Sequence, residues 1–279
     1  MRYLEFGDPE VHQIIRAEKD RIESTLDLIA AESHPPLSIL NAQGSAFNVK
    51  AAEGYPGRRF HAGCGNADDL ERLAVKRGKR LFGAEHINVQ PHSGSSANLA
   101  VYFAVLKPGD RILAMRLSHG GHLSHGDAAS ITSHCFRFAH YGLDPETERL
   151  DYDAIEAQAT AFKPRMIVAG ASAYARLIDY ERMARIARNV SAYLLVDMAH
   201  IAGLVAAGVI PSPVSFSEFV TFTTYKTLMG GRGGVIACRQ EFARRIDRAV
   251  FPGTQGTPAL NQVAAKATCF HLAATPEFK

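Results

Sequence analysis

Residues 192–197 read AYLLVD, an apolar run that ends on an acid and is followed by Met198, Ala199 and His200. A run this short, bounded by turn residues, reads as a buried strand rather than a helix. The same pattern recurs on both sides: INV at 87–89, RILAM at 111–115, RMIVAG at 165–170 and FVTFTT at 219–224. Between these runs, SANLAVYFAVL at 96–106, YDAIEAQATAF at 152–162 and YERMARIARNV at 180–190 carry helical spacing. Strands and helices alternating at this interval predict an α/β fold whose mainly parallel sheet is flanked by helices. Ligands of such sheets sit beyond the carboxyl ends of the strands, which is where chemistry should be sought.

Further out the pattern loosens. Asp68 is placed to cap a helix that carries Leu70, Leu73, Ala74, Arg77 and Leu81 and stops at Gly83. Residues 31–66 are rich in Gly, Pro, Ser and Asn without periodicity, so they read as a long functional loop. From Pro9 to about Ala30, Val11, Ile14, Ile15, Ile22, Leu26 and Ile29 recur at helical spacing and predict an amphipathic arm. The chain then divides into an arm with an active-site loop, residues 1–66, and a ligand-binding large domain, residues 67–279.

Composition narrows the class. The 279 residues are 47% hydrophobic and 21% charged, a globular mixture that argues against disorder. A net charge of +3, scattered along the chain, gives no stripe for a nucleic acid. Cys64, Cys135, Cys238 and Cys269 are far apart, with no CxxC pairing for a zinc ribbon or a small disulfide scaffold. No apolar stretch approaches the length of a membrane span, and the first residues lack a signal-peptide core. These features predict a soluble, cytoplasmic protein without a membrane or nucleic-acid partner.

Three segments follow predicted strands. Ser93-Gly94-Ser95 leads directly into a helix, whose free N–H groups and positive dipole end suit a phosphate, although a plain helix cap reads the same way. Asp197 closes the AYLLV run, where a carboxylate either holds a cationic nitrogen or caps the next helix. Lys226 follows FVTFTT; burial there would lower its pKa and make its amine nucleophilic, whereas exposure in a turn would leave it ordinary. Together an anion cup, a strand-end acid and a strand-end amine are what pyridoxal phosphate needs. His119, His122 and His125 form an evenly spaced series, but the glycines among them argue for a loop, and no metal site is expected. A flat His122 ring stacked on a planar cofactor is the alternative reading.

At these residues the chain resembles serine hydroxymethyltransferase, a pyridoxal phosphate enzyme of the aspartate aminotransferase fold. The likeness runs from about residue 20 to the end, through AEGYPGRR, LFGAEHINVQPHSG, LKPGD, LSHGGHLSHG, LLVDMAHIAGLVAAGV, TTYKTLMGGRGG and FPGTQGTP. The resemblance implies that Lys226 bonds the cofactor aldehyde and Asp197 pairs with the pyridine nitrogen. It gives Ser93, Gly94 and Ser95 the phosphate, His122 the ring face, and Ser172 and His200 the phenolate side, with Thr223 and Gly256 also in the cofactor pocket. Glu53 becomes a proton carrier near substrate and folate, His61 a substrate neighbour, and Leu117 and Leu123 apolar folate contacts. The implied reaction interconverts serine and glycine with tetrahydrofolate as one-carbon acceptor, in a homodimer.

The chain also departs from that family. Ala31 and Ala51 stand where a serine and a tyrosine are expected, Phe60 and His61 replace a tyrosine pair, Tyr225 replaces a histidine, and Thr257 a glycine. Relatives extend beyond the position of Lys279 into a C-terminal domain whose arginine binds the substrate carboxylate, and no aligned residue here supplies it. Three alternatives follow: weakened standard activity, a folate-independent aldolase or transaldolase acting on another β-hydroxy amino acid, or an impaired paralogue paired with a full-length homologue.

Overall fold

The computed structural model describes residues 2–279, with side chains from Leu4 onward. By its contacts the chain falls into two units, residues 1–32 and 33–279. The first holds α1 (Arg2–Gly7) and α2 (Pro9–Ser24). Asp8 caps α2 by accepting from Val11 N at 3.1 Å, and Pro9 takes the first helical position, where its missing N–H is no loss. The predicted arm is six residues too long: α2 ends at Ser24 because Thr25 turns extended, its hydroxyl donating to the Arg21 carbonyl at 2.7 Å.

In the second unit, α3 (Leu37–Gln43) and a two-strand hairpin, β1 (Gly54–Tyr55) and β2 (Arg58–Arg59), break up what was expected to be loop. α4 (Gly65–Phe82) follows and stops at Gly83 in the left-handed conformation, as its sequence predicts. Its cap is not Asp68. That side chain lies inside the first turn, accepting from Gly57 N at 2.7 Å and Arg59 Nε at 2.8 Å, because the adjacent hairpin offers it stronger donors.

The sheet comprises β3 (His86–Asn88), β4 (Arg111–Met115), β5 (Arg137–Tyr141), β6 (Met166–Ala169), β7 (Tyr193–Asp197), β8 (Phe219–Thr223) and β9 (Gly234–Cys238). They lie in the order β3, β9, β8, β7, β6, β4, β5. The neighbours from β5 to β8 pair in parallel, and β9 runs antiparallel to both β8 and β3. Helices α5 (Gly94–Val105), α6 (Ile131–Cys135), α7 (Tyr152–Phe162), α8 (Tyr180–Asn189), α9 (Ala202–Ala206), α10 (Ala243–Arg248) and α11 (Leu260–Ala273) accompany it.

Strand side chains alternate between two cores. In β6, Ile167 and Ala169 join one cluster with α4, α7, α8 and α11, while Met166 and Val168 join the other with α5 and α10. Burial on both faces is why the parallel strands read as unbroken apolar runs. The first core holds Phe82 against Phe222 with ring centroids 4.6 Å apart, and Phe270 edge-on to Phe82 at 6.2 Å. The parallel order places the carboxyl ends of β4, β6, β7 and β8 side by side.

Candidate active site

Asp197 is the last residue of β7 and is 8% exposed. Its Oδ2 accepts from Asn98 Nδ2 at 2.8 Å and lies 3.1 Å from His125 Nε2, while Oδ1 accepts from Ala199 N at 3.0 Å. Burial alone would raise its pKa, but the bonds from His125 and Asn98 outweigh it. They hold the carboxyl well below the usual carboxylate range. Asn98 is itself oriented, because Thr221 Oγ1 on β8 donates to its Oδ1 at 2.6 Å and its Nδ2 also reaches Ser124 Oγ at 2.9 Å. The carboxylate is therefore fixed, ionised and aimed before any ligand arrives.

Lys226 lies three residues beyond the end of β8 and is 7% exposed. Among the described residues its amine has no hydrogen-bond or ion-pair partner; it sits 5.7 Å from the Tyr225 ring centre, whose ring also carries Arg232 at 4.8 Å. Burial lowers the amine below its ordinary value, with Asp197 opposing. His200 is pushed down to about 4 by burial and by Lys226, and burial likewise lowers His122. Both imidazoles are thus neutral at pH 7, and His122 Nδ1 is occupied by Ser124 N at 3.1 Å.

One cleft gathers most of the predicted residues: Ser93, Gly94, Ser95, His122, Ser172, Asp197, His200, Thr223 and Lys226 all line it. Its free space is about 60 Å³, and it is partly open to solvent. Ser93 caps α5 through a reciprocal pair with Ser96, so its hydroxyl is committed to the helix and the free donors at the cleft are the first backbone amides of α5. Three polar atoms of lining residues, Thr223 Oγ1, His200 Nδ1 and His125 Nδ1, are buried without a partner. A Cβ on Gly94 would come within 2.9 Å of Thr223 Cγ2, so any side chain there would crowd the space in front of the amides. Unused donors and acceptors around an anion cup, a buried amine and an ionised acid fit pyridoxal phosphate.

The remaining predicted residues lie elsewhere. Glu53 Oε2 is 3.3 Å from His61 Nε2, its Oε1 accepts from Thr257 Oγ1 at 3.3 Å, and Gly256 packs against the same carboxylate. This second group is outside the cleft lining. His92, the neighbour of Ser93, meets it through a 3.1 Å contact with the Thr257 carbonyl. Leu117 and Leu123 are exposed on two short 3-10 turns. His119 faces away, accepting from Leu143 N at 2.8 Å. His122, His125 and Asp197 place three possible metal-ligand atoms within 4.8 Å, but the His125 and Asp197 atoms already bond to each other.

Sequence reading overlooked Asn98, Thr221 and the role of His125. Asn98 had a signal, a lone amide on the otherwise apolar face of SANLAVYFAVL. His125 had one too, as the third member of the histidine series, but only the fold separates its buried ring from the other two.

The seven-stranded, mostly parallel sheet flanked by helices is the large-domain architecture of the aspartate aminotransferase fold type. Comparison with known proteins agrees. A family model described as serine hydroxymethyltransferase matches residues 4–279. Serine hydroxymethyltransferases from Dehalococcoides mccartyi strains 195, BAV1 and CBDB1 are each 53% identical over 278 residues, covering 100% of this chain and 67% of theirs. The chain belongs to the serine hydroxymethyltransferase family.

Proposed function

We propose that this protein binds pyridoxal phosphate in the strand-end cleft and interconverts serine and glycine, with tetrahydrofolate as the one-carbon acceptor. The observation that carries the reading is the pairing, in one cleft, of the buried, unpartnered Lys226 amine with the fixed, ionised Asp197 carboxylate. When bound, the cofactor supplies the electron sink for a carbanion at the amino-acid Cα. Lys226 would hold its aldehyde carbon, and Asp197 would keep the ring nitrogen protonated. The leading amides of α5 would take the phosphate, the neutral His122 ring would cover one face, and Ser172, Thr223 and His200 would supply polar contacts. In this reading Glu53, held by His61 and Thr257, carries a proton at the substrate hydroxyl.

The test is the absorbance spectrum of the purified chain with pyridoxal phosphate, beside Lys226→Ala. The expected result is a visible band in the wild type that is missing in the variant and shifts on adding glycine or serine. No band in the wild type would overturn the cofactor reading. A second reading, folate-independent aldol cleavage, draws on Leu117 and Leu123 being exposed and outside the cleft lining. Faster cleavage of threonine than folate-dependent turnover of serine would favour it.

We also infer a homodimer in the cytoplasm. The exposed apolar residues of α2, Val11, Ile14, Ile15 and Ile22, offer a surface for a second copy. All four cysteines are free, and no helix among the described residues is long and apolar enough to cross a membrane.

A further inference from the structure

Lys266, in the middle of α11, is 1% exposed and far from any use in the proposed chemistry. Its ammonium donates to three backbone carbonyls: Val89 at 2.6 Å, Gly234 at 2.9 Å and Pro91 at 3.0 Å. Three N–H donors meet three acceptors, and no carboxylate lies within ion-pair distance among the described residues. The nearest opposing charge to act on it is Glu71, which is itself engaged by Arg59 at 2.7 Å and Gln90 at 2.9 Å. Burial lowers the ammonium to about 7, so holding the charge there carries a cost that a methionine would avoid.

What it holds is the strap 89–91, between the end of β3 and the Ser93 cap of α5. These residues leave the sheet, so their carbonyls depend on side chains: Lys266 takes Val89 and Pro91, and Gln255 Nε2 takes Gln90 at 2.9 Å. Pro91 is gripped from both sides, since its carbonyl also accepts from Gly234 N at 2.9 Å. The opposite wall is shaped to admit the ammonium. Gly233 has φ +143°, and a Cβ there would lie 2.3 Å from Lys266 Cε.

We propose that Lys266 is a positioning residue for the cofactor phosphate, locking the 89–91 strap so that the leading amides of α5 stay aimed into the cleft. The proposal rests on the cofactor reading above, and acts through backbone rather than by contact with the ligand. A general structural role would affect every ligand alike, whereas this one discriminates by phosphate.

The test compares wild type with Lys266→Met, which fills similar volume without donors. Dissociation constants are measured for pyridoxal phosphate and for pyridoxal, which has the aldehyde but no phosphate. The expected result is affinity for pyridoxal phosphate reduced by about tenfold or more, the loss of charge-assisted hydrogen bonds, with affinity for pyridoxal changed less than about twofold on the same scale. Amide exchange in the unliganded chain reads the strap directly. The Ser96 and Ala97 amides, held by the Ser93 hydroxyl at 3.1 Å and carbonyl at 3.0 Å, should exchange faster while residues 111–115 do not change. Equal loss for both aldehydes, no loss for either, or faster exchange throughout the sheet would overturn the proposal. Lys266→Gln, which keeps two donors, gives the same comparison if Lys266→Met does not fold. If wild type binds neither aldehyde, the cofactor reading fails, and the exchange measurement still decides whether Lys266 locks the strap.

Discussion

Asp197 and Lys226 face the same cleft, and burial treats them oppositely. Asp197 is over-satisfied as an anion: three donors hold it, so its folded pKa lies below the unfolded value of 3.8. A depressed carboxyl pKa contributes stability that is present above the unfolded value and lost as pH falls through the folded one. Asp197→Asn should therefore cost about 1–3 kcal/mol at pH 7. In urea titrations that difference should shrink below pH 4 as the wild-type carboxyl protonates in the unfolded chain. A constant difference across that range would contradict the assignment. Lys226 is the reverse case, an amine lowered by burial with nothing to bond. The unfolded chain binds its proton more tightly, so its burial penalty is full at low pH and is relieved as pH rises through the folded pKa toward 10.5. Lys226→Met should stabilise the unliganded protein by roughly 0.5–2 kcal/mol near neutral pH, a familiar trade of function for stability. Thermal unfolding of cofactor-free samples checks it; a lower midpoint in the variant would refute it.

Among the elements, α5 borders the cleft and the β1–β2 hairpin follows directly on Glu53. Ser93 and Ser96 satisfy each other's backbone at the start of α5, so Ser93→Ala should cost about 1 kcal/mol through loss of the cap. That loss should be visible in the thermal midpoint of the unliganded chain. The hairpin is tied down by Arg59, whose side chain is 4% exposed and reaches Asp68, Glu71 and the carbonyls of Ala52 and Gly54. Removing that guanidinium strands two carboxylates beneath the loop that carries Glu53. Arg59→Ala should cost about 3–5 kcal/mol by denaturant unfolding. An effect below about 1 kcal/mol would mean that the network is solvated like a surface pair.

At the scale of the whole molecule, the exposed apolar residues of α2 lead us to expect a dimer. Sedimentation equilibrium should give twice the 30.3 kDa chain mass at micromolar concentration, and a monomer would rule it out. The parallel strands and their helices were legible because burial on both faces writes continuous apolar runs, and because caps such as Gly83 are local. β5, with Arg137 and His140, lies at the sheet edge where a polar face is tolerated and shows no such run, whereas the apolar run Val235–Cys238 of β9 is short and masked by the glycines at 230–234 from which it emerges. The family and the placing of Asp197, Lys226 and the Ser93–Ser95 turn beyond strand ends were likewise determined by sequence, since each needs only a residue type at the end of a local element. The tertiary structure alone decided which donors make Asp197 an anion, where Glu53 and His61 sit, and why Lys266 is buried. Those facts depend on pairs such as Asn98 with Asp197, or Lys266 with Val89, which the chain separates by 99 and 177 positions. Hydrogen bonding and desolvation act through space, and no local pattern records them.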